Sequence, residues 1–304
     1  MERAAAASAL LVWLRASGGL VHPALRVGVS PTTGARGLIA AERIEPTPGR
    51  PLVAVPETLV LTSASASAAA VTFHGASPRL GPALAVLDPA APLAVLLALE
   101  AAPDVPTPSP WGLYARSLEG HPPAGWAVRG GDALEAALKA ARVPAPDRPS
   151  WRVAVAKSRA AAEAAAAAVV RLVEADAGRT PPLEPDAVVA ALGHVVSRAF
   201  RLPSSSAASS APVQPALLPV IDLANHAAGS ADPAWATAPG APHRFATLRA
   251  ASNGGGGRGG PPAGVRLEPG DELTTSYAGG QGGGGALEWF LNYGFVPAEL
   301  GEKR

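Results

Sequence analysis

The chain has 304 residues and not one cysteine. Disulfides, thiolate metal ligands, a zinc-bearing cysteine cluster and a cysteine nucleophile are therefore excluded. Its six histidines are scattered, with no HxxxH or HExxH pair, so no metal site is expected. No uninterrupted apolar run reaches the roughly eighteen residues of a membrane span, and none is expected. An excess of either charge is missing too: 25 Lys and Arg against 24 Asp and Glu leave a net charge of +1. Such a balance provides no field for gathering nucleic acid or an anionic membrane. The 33 glycines follow no repeat, which excludes a collagen-like chain. No GxGxxG opens a helix to cradle a dinucleotide, and no GxSxG elbow presents a serine nucleophile. What remains is a chain that is 48% hydrophobic, long enough for one large domain or two modest ones.

Periodicity divides it into strands, helices and strands again. Residues 8–17 read as a helix carrying Leu10, Leu11, Trp13 and Leu14, closed by Gly18-Gly19. The Ala-rich start with two arginines has some transit-peptide character, but cleavage there would remove this helix, so no cleavable leader is expected. Leu25–Val29, Gly37–Ala41 and Leu52–Pro56 read as strands, and this block ends near Thr62. A helical pattern follows. Pro92 suits the first turn of a helix over Leu93–Ala101. Ser150 reads as the cap of a helix over Trp151–Ala177 that buries Val153, Val169, Val170, Leu172 and Val173. Pro185-Asp186 opens another, with Val188, Val189, Leu192, Val195, Val196 and Phe200 on one face and Pro203 as its stop. Strands return at Leu217, and the tract Gly254–Gly260 reads as a flexible loop. The order implies an α+β fold in which the blocks Leu25–Leu61 and Leu217–Tyr277 meet.

Four short constellations carry chemistry, and each alone has an ordinary reading. Thr33-Gly34-Ala35-Arg36-Gly37-Leu38 is by itself a hairpin turn. Ser197-Arg198-Ala199-Phe200 places an arginine at a helix C-terminus, where any cation is favoured. Leu217-Leu218-Pro219-Val220-Ile221-Asp222-Leu223-Ala224-Asn225-His226 reads as a buried strand ending in Asn and His. Buried polar groups of that kind need partners or a ligand. Tyr277, one of only three tyrosines, ends Gly270-Asp271-Glu272-Leu273-Thr274-Thr275-Ser276-Tyr277 and is an ordinary strand residue on propensity alone.

Taken in order with Glu288-Trp289-Phe290-Leu291-Asn292-Tyr293-Gly294-Phe295-Val296, these segments resemble the SET-domain methyltransferases over about residues 8–298. The nearest subgroup is the one holding the Rubisco large-subunit lysine methyltransferase and the actin-histidine methyltransferase. That resemblance implies a β-rich SET fold of several short sheets with a pseudoknot and a helical insertion. Residues 8–62 and 196–298 would form its two halves and 63–195 the insertion, with the family's helical substrate-binding domain absent. It implies S-adenosyl-L-methionine as cofactor. Gly34, Ala35 and Arg36 would hold the methionyl part and Arg198 the carboxylate. Asn225 would meet the amino-acid moiety and the main chain of His226 the adenine edge, with Asp222, Tyr277 and Tyr293 completing the site. Phe200 and Phe295 would line the substrate channel, and Tyr277 would be the catalytic residue. Two departures stand out: Gly34 replaces an acidic residue common in the subgroup, and the Gly-rich stretch after Tyr277 is about four residues longer. The implied function is protein-lysine N-methylation of a non-histone protein, by a monomer that uses no metal, nucleic acid or membrane. Its expected location is cytoplasm or nucleus, with the chloroplast as alternative. An inactive SET-fold interaction module and a histidine N-methyltransferase are the alternative functions.

Overall fold

The computed structural model describes residues 2–30, 36–47, 50–102, 109–118, 124–128, 130–176, 178–202, 214–227, 230, 233–237, 244–249, 266–275, 285–297 and 300. They form two compact units, one from 1–60 and 200–282, the other from 61–199 and 283–304.

The first unit is built from antiparallel pairs between distant segments. Val53–Pro56 lies between Leu20–Val21 and Arg244–Leu248, with Ala234–Thr237 beyond. All four residues of Val53–Pro56 are buried, so this strand reads as an unbroken apolar run and not as an alternation. A second sheet places Arg36–Ala40 between Glu272–Leu273 and Leu25–Val29. Phe200–Leu202 and Gln214–Leu217 form a further antiparallel pair. Ahead of these strands runs the helix Glu2–Ala16, which starts earlier than the apolar pattern indicates. Ala4 to Ala7 favour helix by propensity without marking an apolar face. Gly18 ends it at φ +83°, and Gly19 then passes close to the neighbouring strand. A Cβ on Gly19 would stand 2.4 Å from Leu14 Cδ1 and 2.9 Å from the Ala54 carbonyl oxygen.

The second unit is helical. Thr62 and Ser65 form a reciprocal capping box at the start of Ser63–His74, which closes on Gly75 at φ +69°. Helix Ala91–Ala101, with Pro92 in its first turn, is buried all round, as its nearly continuous apolar sequence requires. Its one ionisable group, Glu100, is 1% exposed and bonds His74 Nε2 at 2.8 Å. The long helix spans Arg148–Glu174, so Ser150 lies inside it and does not cap it. The Ser150 hydroxyl instead donates to the Asp147 carbonyl at 2.7 Å. Of its expected core residues, Val169, Val170 and Val173 are buried, whereas Val153 is 69% exposed. The next helix, Pro185–Arg198, buries Val188, Val189, Leu192 and Val195 but leaves Val196 exposed. It ends before Pro203 can act on it, because Ala199 is already extended.

Asp176 ties two turns of this unit together. Its carboxylate accepts from the Ser77 amide at 2.8 Å, the Ser77 hydroxyl, the Gly178 amide at 3.2 Å and the Thr180 hydroxyl at 3.4 Å. Desolvation opposes ionisation of this carboxyl, yet the hydrogen bonds from Ser77, Gly178 and Thr180 outweigh it and hold the pKa below the ordinary 3.8. A carboxyl depressed in the folded state stabilises above its unfolded pKa and loses that contribution as the pH falls towards the folded value. Asp176→Ala is therefore expected to cost about 1–2 kcal/mol at neutral pH, a value reduced for solvent access. Urea unfolding at pH 7 and again near pH 3 checks this. The gap between variant and wild type should narrow sharply in acid, and an unchanged gap would show that the carboxylate's charge is not the source.

Candidate functional site

The run Leu217–His226 does not continue as one strand. Pairing stops after Leu217, and Ile221–Leu223 forms a single 3-10 turn. Pro219 has no N–H for a sheet ladder. Val220 then adopts φ +76°, a conformation disfavoured for a β-branched side chain, and the Asp222 amide bonds the Leu218 carbonyl at 3.0 Å. Asn225 and His226 thus leave a strained turn, and the buried Asp222 sits within it.

The segment is stitched at once to another. His226 forms a parallel bridge with Thr275, in which the Thr275 amide donates to the Asn225 carbonyl at 2.9 Å. The Ala227 amide returns a bond to the Thr275 carbonyl at 3.1 Å. The hydroxyls of Ser230 and Thr274 lie 2.6 Å apart alongside. From this position the Asn225 amide nitrogen donates to the Arg36 carbonyl at 3.2 Å and to the Glu272 carboxylate. Gly37, next to Arg36, leaves the space for that meeting: a Cβ there would lie 2.2 Å from Glu272 Oε1 and 2.9 Å from Asn225 Nδ2. Glu272 is opposite Ile39 in the sheet, so Gly37 is its diagonal neighbour, within reach of a long side chain.

Arg36, Asn225 and His226 are accordingly brought together, with Asp222 just upstream in the same turn. Phe200, opposite Ala216 in its strand pair, belongs to the same unit. Arg198, Tyr293 and Phe295 belong to the helical unit. Arg198 is the last residue of its helix. Tyr293 ends the helix Ala286–Tyr293, closed by Gly294 at φ +75°, and clusters with Trp289 at 4.9 Å and Phe295 at 6.2 Å between ring centroids. Gly34, Ala35, Pro203, Tyr277, the tract Gly254–Gly260 and the stretch 276–284 lie outside the described residues. Sequence reasoning passed over Glu272 and Gly37. The signal for Glu272 was a carboxylate one residue from a buried leucine in a short strand; Gly37 stood within the quoted turn 33–38, whose glycines allow close backbone approach, but carried no role of its own there. Among the described residues no group of three or more His, Asp or Glu side chains could hold a metal ion, and no helix is long and apolar enough to cross a membrane.

No family model matches the sequence, and no curated protein does. Solved structures do resemble it. The SET domain of LSMT bound to lysine and AdoHcy superposes with a TM-score of 0.62 at 17% identity, over 96% of this chain and 57% of that one. Rubisco LSMT bound to sinefungin and monomethyllysine gives 0.59 at 18% identity, over 96% and 56%. Rubisco LSMT bound to AdoMet gives 0.57 at 20% identity, over 96% and 57%. The chain thus spans little more than half the length of the structures it matches. Its mixture of helices with several small sheets, and no closed barrel among the described residues, is the fold of the SET-domain methyltransferases.

Proposed function

We propose that this chain is an S-adenosylmethionine-dependent protein methyltransferase whose acceptor is a lysine side chain of a non-histone protein. The observation that carries the reading is the convergence of Arg36, Asn225 and His226, from segments far apart in sequence, in a fold shared with lysine methyltransferases. Neighbours holding AdoMet, or AdoHcy together with lysine, support the same cofactor and acceptor class here. The chemistry of the group set fits such a cofactor: an asparagine beside the backbone of the His226–Thr275 bridge offers neutral hydrogen-bonding groups to an amino-acid zwitterion.

When bound, the cofactor supplies a methyl group activated on a sulfonium sulfur. The protein's task is then to hold the acceptor nitrogen in line with that methyl and keep water out. Asn225 and the Arg36–Gly37 backbone fix the amino-acid end of the cofactor. Tyr277 orients the acceptor amine with its hydroxyl. The acceptor lysine gives up its proton to solvent, and Tyr277 takes no part as a base.

Calorimetry with S-adenosylmethionine tests the reading. Saturable binding is expected, and Asn225→Ala should weaken it by about 1–3 kcal/mol, the cost of removing one partner from desolvated polar groups. Unchanged affinity in that variant would remove Asn225 from the site. Absence of binding to wild type at millimolar ligand would favour an inactive SET-fold module. Transfer of radiolabel from the cofactor to a lysate protein, followed by identification of the modified residue, separates lysine from histidine acceptors.

A further inference from the structure

The nitrogen end of the Asn225 amide faces two groups that can only accept. One is the Arg36 backbone carbonyl at 3.2 Å, the other the Glu272 carboxylate. An amide can be turned end for end with little change of shape, so its orientation follows from its partners. With oxygen at that end, three lone-pair-bearing oxygens would meet and no proton would lie between them. With nitrogen there, both N–H groups are used, one on each acceptor. Asn225 therefore has no donor left, and what its half-buried side chain can offer a ligand is its carbonyl oxygen.

We infer that Glu272 is a positioning residue that fixes the Asn225 amide with its carbonyl towards the cofactor, so that the site reads an ammonium group there. The inference rests on the methyltransferase reading and deepens it by assigning the contact to the cofactor's α-ammonium. The hydrogen bond that Glu272 accepts also polarises the amide, which makes the Asn225 oxygen a stronger acceptor. Gly37 is part of the device, because any side chain there would collide with both Glu272 and Asn225. The Arg36 carbonyl, the amide's second acceptor, is a backbone group and so is present whatever the side chain at that position.

Two ligands separate positioning from general support. S-adenosylmethionine carries the α-ammonium; 5′-methylthioadenosine shares the adenosine and thioether but has no amino-acid end. Glu272→Leu is expected to weaken S-adenosylmethionine binding about tenfold or more while changing methylthioadenosine binding less than about twofold. Glu272→Gln keeps an acceptor oxygen and should bind both within about threefold of wild type. In an Asn225→Ala background, adding Glu272→Leu should change S-adenosylmethionine affinity less than about twofold, because the residue through which Glu272 acts is already gone. Equal loss of both ligands in Glu272→Leu would assign Glu272 to support of the fold and overturn the inference. So would additive losses in the double variant, or a Gln variant as weak as the Leu variant. Wild-type protein that binds methylthioadenosine or neither ligand, but never S-adenosylmethionine, would overturn the methyltransferase reading itself.

Discussion

Tyr277→Phe is expected to lower the single-turnover rate of methyl transfer by about two to three orders of magnitude while leaving cofactor affinity nearly unchanged. The substitution removes one hydroxyl and keeps the ring. Losing a single preorganised polar group from a transition state has about that effect on rate, and an interaction made only there shows in kcat and not in binding. The carrying observations are the position of Tyr277 two residues beyond Thr275, whose backbone is bonded on both sides to the Asn225–Ala227 segment, and the resemblance that gives a tyrosine at this place its role. If Tyr277 were only a strand residue, Phe would be neutral in both measurements. Rapid-quench kinetics with saturating cofactor decide the matter, and equal rates would take Tyr277 out of the chemistry.

The largest expected effect on stability lies in the helical unit. Phe290 is fully buried on the helix Ala286–Tyr293, its ring 5.6 Å from that of Trp151. The chain at Gly125 presses against it so closely that a Cβ there would stand 2.2 Å from the Phe290 carbonyl oxygen and 2.8 Å from its ring carbons. Phe290→Ala opens a cavity bounded by helices and a 3-10 turn that cannot collapse freely, and should cost about 3–5 kcal/mol. Gly125→Ala should also destabilise, through overpacking against backbone that has nowhere to go. Urea unfolding followed by tryptophan fluorescence measures the first, since Trp151 reports on the same contact. A loss below about 1 kcal/mol for Phe290→Ala would contradict this packing. Because the chain holds two compact units, the transition should first be tested with a second probe for two-state behaviour.

The legible parts of the fold were those governed by local terms. Pro92 and Pro185 mark helix starts because the N–H that proline lacks would have no intrahelical partner in the first turn. Gly18 marks a helix end because it takes positive φ without cost. Where local signals competed, the reading slipped. Ser150 looked like a cap, but the helix began at Arg148 under Asp147-Arg148-Pro149. The apolar run before Asn225 looked like one strand, yet Pro219 and the turn at Val220 broke it.

The sequence by itself singled out a turn with Arg36, the Asn225-His226 pair and the Tyr277 segment as candidate chemistry-bearing stretches, through their resemblance to a family, and indicated that strand and helix blocks alternate. Their residue types and order sufficed for that. Tertiary structure alone decided which way the Asn225 amide faces, why position 37 has no side chain, and that Glu272 belongs with them. Those facts depend on contacts spanning 189 and 47 residues of chain. Propensity, capping and periodicity act over a turn or a strand pair and cannot specify which distant acceptor meets a given amide. Only the packed path of the backbone brings Arg36 and Glu272 to the same nitrogen.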